Sequence, residues 1–199
     1  MKHATRKSGG GPVAGVPHCC LVDPFELVAP GLLLRPWRNT DAPAVLTALR
    51  DPAVVRWNPS PGGADLPGAR DWVRRRADWS GGDHVSLAAT DPAGDALLGS
   101  VSLHRIRAPE GDAAIGYWTV PAARGRGVAT LAVRLLTEWA FARLGLHRIE
   151  LCHAVPNVAS CRVALRAGYA TEGTLRESYR YGDGARYDEH LHARLATDR

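Results

Sequence analysis

Val128, Leu131, Ala132, Leu135, Leu136, Trp139 and Ala140 recur at three- and four-residue steps, which places them on one stripe of an α-helix. They predict a long amphipathic helix over 127–144. Shorter apolar runs on either side read as strands: 32–36, then 84–90 and 96–106 divided by the turn Asp91-Pro-Ala-Gly-Asp95, then 113–120, and 147–153 after the long helix. Between the first two strands, Thr40 or Asn39 is placed to cap a helix through about Arg50. Further helical pieces follow at 52–57 and 67–79, parted by the Pro/Gly-rich loop 58–63. A helix over 158–167 leads to a closing hairpin, 171–181 and 186–195, turned by Gly182-Asp183-Gly184. Strands alternating with helices in this order imply an α/β (α+β) fold with a mixed sheet and helices on both faces.

Residues 1–22, with Gly9-Gly10-Gly11, Pro12 and Pro17, read as a mobile N-terminal tail, and 23–199 as a single domain. A chain of 199 residues with 45% hydrophobic content buries one good core. No apolar run approaches the roughly 20 residues of a membrane span, and the first 20 residues lack the apolar stretch of a secretory signal, so a cytoplasmic location without membrane partners is expected.

The net charge of +5 raises nucleic acid as a partner. Lys2, Arg6 and Lys7 carry +3 of it in the first 20 residues, leaving 22 arginines against 20 carboxylates, or +2, for the rest. A nucleic-acid partner is therefore not expected. The four cysteines, Cys19, Cys20, Cys152 and Cys161, show neither a disulfide framework nor Cys/His metal-ligand spacing, so a reducing compartment and no metal are expected. Cys161, beside Ser160, is better read as a packed thiol than as an acyl-carrying nucleophile.

The chemistry concentrates at Arg124-Gly125-Arg126-Gly127-Val128-Ala129-Thr130. A glycine-rich turn entering a helix presents orphan N–H groups and the positive end of the helix dipole, which together bind anions. It is neither a Walker A loop nor a dinucleotide fingerprint.

This stretch resembles the Arg/Gln-x-x-Gly-x-Gly/Ala signature of the GNAT superfamily of N-acetyltransferases. Ile115-Gly116-Tyr117-Trp118-Thr119-Val120-Pro121, Asn157-Val-Ala-Ser160 and Ala167-Gly168-Tyr169 resemble, in the same order, motifs of its RimJ/RimL-like ribosomal-protein branch. The resemblance covers about residues 30–196. It implies a GNAT fold: a twisted, mostly antiparallel sheet of about seven strands, flanked by helices, whose central strands splay to bind coenzyme A. It further implies that the amides of Arg124 to Thr130 hold the pyrophosphate and that the strand edge at Trp118, Thr119 and Val120 pairs with the pantetheine arm. Acetyl-coenzyme A is then the acyl donor, a larger acyl group such as succinyl being the alternative.

Acetyl transfer to an amine in a ternary complex needs a base for the ammonium proton, oxyanion stabilisation and a proton for the leaving thiolate. Asn157 and Ser160 are three apart on a helix and share a face, so Ser160 is the candidate for the thiolate and Asn157 for pantetheine. Many GNAT enzymes carry a glutamate where this chain has Ala114, and the branch's second acidic position corresponds to Tyr179. Glu177, two residues from Tyr179 and so expected on its strand face, and His153, whose ordinary pKa near 6.5 suits a base, are the substitutes. Trp72, Trp79 and Trp139 read as packing residues, Arg74-Arg75-Arg76 as a solvated helix face, and Asp183, Asp188 and Glu189 as a charged turn and strand edge. The branch favours a protein N-terminal α-amine as acceptor. Small-molecule amines and a non-catalytic acyl-coenzyme A binding module are the alternatives, because the loops at 58–82, 104–112 and 178–186 carry no readable code. Oligomeric state is open, a homodimer included.

Overall fold

The computed structural model describes residues 23–58 and 65–198. The expected tail, with Cys19 and Cys20, and most of the loop 58–63 lie outside the described residues. Eight strands form one sheet: β1 (Leu27–Ala29), β2 (Leu32–Pro36), β3 (His84–Thr90), β4 (Leu97–Arg107), β5 (Asp112–Thr119), β6 (Arg148–Ala154), β7 (Ala170–Arg180) and β8 (Arg186–Leu195), in the spatial order β1-β2-β3-β4-β5-β6-β8-β7. The strand not foreseen, β1, has three residues and pairs antiparallel with β2 through the turn at Gly31. It is too short to show alternation.

Every pairing is antiparallel except β5 with β6. The long helix α4 (Val128–Leu144) crosses over between those two, as a parallel pair requires. It packs on one face with α5 (Val158–Arg166), over Val101, Leu103, Ile115, Ile149 and Leu151. On the other face α1 (Ala42–Leu49), α2 (Pro52–Trp57) and α3 (Leu66–Ala77) cover Trp37, Ala88 and Trp118. With helices on both sides, β3 is buried on both faces from Val85 to Thr90. Alternation along β5 therefore sends Ile115 and Tyr117 toward α4 and α5, and Trp118 toward α1 to α3.

The cap expected at Asn39 or Thr40 falls elsewhere. Asn39–Asp41 form a 3-10 turn, and α1 begins at Ala42 with Asp41 in the cap position. A buried ion pair explains the shift: the Asp41 carboxylate takes both Arg35 guanidinium N–H groups at 2.9 and 2.7 Å and the Arg38 amide at 2.8 Å. Arg35 also donates to the Gly94 carbonyl, so its charge and donors are satisfied in the core. Among the described residues no helix is long and apolar enough to cross a membrane.

Candidate active site

β5 and β6 pair over three rungs only, Asp112 with Arg148, Ala113 with Ile149 and Ala114 with Glu150. Beyond Ala114 they diverge, and the facing edges open into a cleft of about 400 Å³. Backbone N–H and C=O groups on those edges are left to pair with an extended ligand.

The glycine turn closes one end of this cleft. Gly127 caps α4 at φ 79° and ψ 0°, a left-handed conformation that glycine adopts without strain. Its carbonyl accepts from the Leu131 amide at 3.0 Å, so the amides of Val128, Ala129 and Thr130 belong to the first helical turn and point outward without intrahelical acceptors. A Cβ at Gly125 or Gly127 would meet nothing within 4 Å; the space in front of the turn is open to an anion. The Arg124 guanidinium is committed elsewhere, in an ion pair with Asp51, the N-cap of α2. Burial opposes ionisation of Asp51, but Arg124 and the first amides of α2 hold its pKa below the usual carboxylate range.

Ten of the twelve residues expected at the cofactor site line the cleft: Trp118, Thr119, Arg124, Gly125, Gly127, Val128, Ala129, Thr130, Asn157 and Ser160. Two do not. The Val120 amide turns away to the Leu98 carbonyl at 3.0 Å, and the exposed Arg126 side chain folds back to the Ala122 carbonyl. Arg162 and Arg166 also line the cleft. Their i, i+4 spacing on α5 was the available signal, and they place two further cations at the cleft wall.

Asn157 caps α5, its Oδ1 accepting from the Ser160 amide at 3.2 Å. Ser160 is buried, and its hydroxyl lies 2.8 Å from that of Tyr117. Burial pushes the Tyr117 phenol up to about 12, so it stays protonated and able to donate.

The two expected bases fare differently. Glu177 is exposed and outside the cleft lining, and the regular strand on which it was expected to share a face with Tyr179 is absent there. Register with β8 shifts between Leu175 and Tyr179, and Glu177 takes φ 43°, so strict alternation fails there. The strand is held by the Glu177 amide donating to Asp188 and by Arg186 donating to the Glu177 carbonyl. His153 does line the cleft, but it is buried, with Nδ1 donating to the Ala154 carbonyl at 2.9 Å and Nε2 lying 3.1 Å from His192 Nε2. Burial, and secondarily the neighbouring His190, hold its pKa below the ordinary histidine value.

The structure instead brings a carboxylate forward. Glu189 is buried, accepting from the Tyr181 hydroxyl at 2.7 Å and from Ser178 at 2.7 Å. Tyr181 lines the cleft, its phenol pushed up by burial and by the Glu189 charge. Trp57 of α2 packs edge-on against Tyr181 at 5.7 Å and shares the lining. The β7–β8 turn is pressed onto α2 there: the Gly182 amide donates to the Arg56 carbonyl, and a Cβ on Gly182 would lie 1.9 Å from the Val55 carbonyl oxygen. In the sequence Glu189 was indistinguishable from its charged neighbours Asp183 and Asp188; only pairing with Tyr181 separates it. Cys152 also lines the cleft, but burial and the Glu189 and Glu150 charges raise its thiol to about 11, which leaves it un-ionised.

Residues 31–170 match the family model described as "Acetyltransferase (GNAT) domain". Among similar proteins, the chain is 36% identical over 118 residues to YdaF of Bacillus subtilis, whose name marks it as a candidate ribosomal N-acetyltransferase, covering 59% of this chain and 61% of that one. It is 35% identical over 103 residues to the ribosomal-protein-serine acetyltransferase of Escherichia coli, covering 51% and 56%. These matches span under two thirds of either relative. The solved structure of RimL, a ribosomal L7/L12 alpha-N-protein acetyltransferase in complex with coenzyme A, superposes with a TM-score of 0.75 at 22% identity, covering 85% of this chain and 96% of that one.

Proposed function

We propose that this chain, which belongs to the GNAT acetyltransferase family, transfers the acetyl group of acetyl-coenzyme A to a primary amine, a protein N-terminal α-amine in first place. The observation that carries this reading is the three-rung pairing of β5 and β6 opening directly onto the Gly127 turn. An extended pantetheine arm fits the bare strand edges, and its pyrophosphate fits the open amides at the start of α4. Arg162 and Arg166 stand beside the same cleft as partners for further phosphate.

In the reaction the amine nitrogen attacks the thioester carbonyl carbon. As the tetrahedral intermediate collapses, the carbon–sulfur bond breaks and the thiolate takes a proton from Ser160, which Tyr117 backs through its own hydroxyl, while the second proton that the nitrogen gives up on becoming an amide restores the Ser160 hydroxyl. Neither side chain forms a covalent bond to the acyl group. The ammonium proton leaves on the other side through Tyr181 to Glu189, whose carboxylate already accepts the Tyr181 hydroxyl. This assignment replaces Glu177, which does not line the cleft, and His153, whose two nitrogens are both engaged.

The acceptor end is walled by Trp57 and Tyr181, with Glu189 behind. Aromatic faces and a buried carboxylate attract a cationic amine before it loses its proton. Acceptance of a peptide N-terminus is supported by the open cleft and by the ribosomal-protein acetyltransferases among the relatives.

The decisive experiment supplies acetyl-coenzyme A with N-terminal peptides and with small amines, following free thiol and product mass. Thiol release with a gain of one acetyl group at a peptide α-amine is the expected result. Turnover confined to small amines would redirect the acceptor, and cofactor binding without turnover on any amine would overturn the enzymatic reading.

A further inference from the structure

His153 on β6, Cys161 on α5 and His190 and His192 on β8 offer four ligand atoms that all lie within 4.8 Å of one another. Register explains the convergence. His153 stands directly opposite His190, and His192 follows two residues along on the same face. Cys161 reaches that face from the helix packed over it. The ligands come from three separate elements, so no Cys/His motif marks them in the sequence.

The hydrogen bonds around the cluster orient it. A carbonyl only accepts, so the contact between His153 Nδ1 and the Ala154 oxygen puts the proton on Nδ1 and leaves a lone pair on Nε2. That lone pair faces His192 Nε2 at 3.1 Å. His192 Nδ1 meets the Thr171 hydroxyl at 3.2 Å, a partner able to donate or accept. Moving the His192 proton from Nε2 to Nδ1, with Thr171 turning from donor to acceptor, exposes a second lone pair at no change of charge. Among the described residues, His190 Nδ1 is the buried side-chain nitrogen without a hydrogen-bond partner. Ring nitrogens facing each other, each anchored behind by an oxygen, reproduce the outer support that holds metal-binding histidines.

We propose that His153, Cys161, His190 and His192 bind one divalent metal ion of tetrahedral preference, zinc in first place. Three imidazole nitrogens and one thiolate form a borderline-soft set that suits zinc and disfavours magnesium or calcium, which need oxygen ligands. Zinc–nitrogen bonds of about 2.0–2.1 Å and a zinc–sulfur bond of about 2.3 Å put tetrahedral donors roughly 3.3–3.7 Å apart. The imidazole pair, at 3.1 Å, opens by a few tenths of an ångström to reach that spacing, and the widest separation, at most 4.8 Å, closes by little more than 1 Å. On binding, three zinc–nitrogen bonds and one zinc–sulfur bond replace bound waters, and the Cys161 proton passes to solvent. The ion ties α5 to β6 and β8 and fixes the helix that carries Ser160.

The test uses the full chain, freed of metal with a chelator and titrated with zinc or cobalt(II). His3, His18, Cys19 and Cys20 of the N-terminal segment can also bind such ions, so the readout is the difference between parent and single variants that share them. The parent takes up one equivalent more than Cys161→Ser or His190→Ala, with affinity at that site at least about 100-fold higher. Its cobalt form gains tetrahedral ligand-field bands, with a sulfur-to-cobalt charge-transfer band that Cys161→Ser removes. Thr171→Val, which touches no ligand atom of the metal, weakens binding by about 10-fold. Equal stoichiometry and affinity in the parent and both ligand variants, each shown folded by circular dichroism, would overturn the proposal.

Discussion

Tyr117 and Ser160, 43 positions apart in sequence, share a 2.8 Å hydrogen bond across the open side of the sheet. The contact joins the splayed strand β5 to the helix that Asn157 caps, so the group assigned to the thiolate is oriented by the strand whose open edge lines the cleft. Ser160→Ala is expected to lower kcat by about 100-fold with little change in KM for acetyl-coenzyme A. Tyr117→Phe, which leaves the serine but removes its support, is expected to cost about 10-fold. Initial rates of thiol release measure both. A rise in KM with kcat unchanged would assign the pair to binding alone.

Gly127→Ala tests the anion turn. A Cβ there meets no atom, so the substitution costs stability only through φ 79°, about 1 kcal/mol. Distortion of the α4 amides and crowding of the approach to them is expected to weaken coenzyme A binding at least about 10-fold, measured by calorimetry.

Glu189→Gln removes the proposed proton sink while keeping a hydrogen-bond partner for Tyr181. Near neutral pH the rate is expected to fall by about 100-fold. The deficit shrinks as pH rises past about 8, where an α-amine loses its proton unaided. A rate ratio between parent and variant that is flat with pH, measured from pH 6 to 9, would exclude Glu189 from the proton route.

His104 sets an acid limit on stability. Its pKa is held down to about 4, first by burial and then by the charges of Arg105 and Arg76. The unfolded chain takes up this proton near 6.5 while the folded state refuses it until about 4. Stability is therefore full above the upper value and falls as pH drops toward the lower one, at about 1.4 kcal/mol per pH unit. Urea midpoints are expected to show the parent losing about 2 kcal/mol more than His104→Gln between pH 7 and pH 5. His153 and His192, also held low by burial, act in the same direction in both proteins and cancel in the difference.

Legibility in the sequence followed periodicity and motif length. The helix over 127–144 and the strands around it were readable because their apolar positions repeat over many residues, and the observed α4 differs by one residue at its start. β1 was not, because three residues carry no period. Asp41 was missed as a cap because its carboxylate answers to Arg35 across the core, a tertiary partner that local rules do not see. The same limit governs the site. Gly125, Gly127, Asn157 and Ser160 sit within short contiguous motifs, whereas Glu189 acquires meaning only by facing Tyr181, and Tyr117 only by facing Ser160. Glu177 failed for a related reason: alternation assumes a regular strand, and a bulge with a left-handed residue breaks it.

The three-rung contact between β5 and β6 has a thermodynamic corollary. From Ile115 to Thr119, β5 keeps its rungs with β4 but lacks those with β6, and a bound pantetheine arm would supply the absent partners there. Ligand that binds only the folded state raises its stability by RT ln(1 + [L]/Kd). Amide exchange in this segment should slow when coenzyme A is present, and resistance to proteolysis should rise with it. Were coenzyme A to occupy these edges, opening of this segment would become rarer as its concentration rises, and cleavage within it would slow in step.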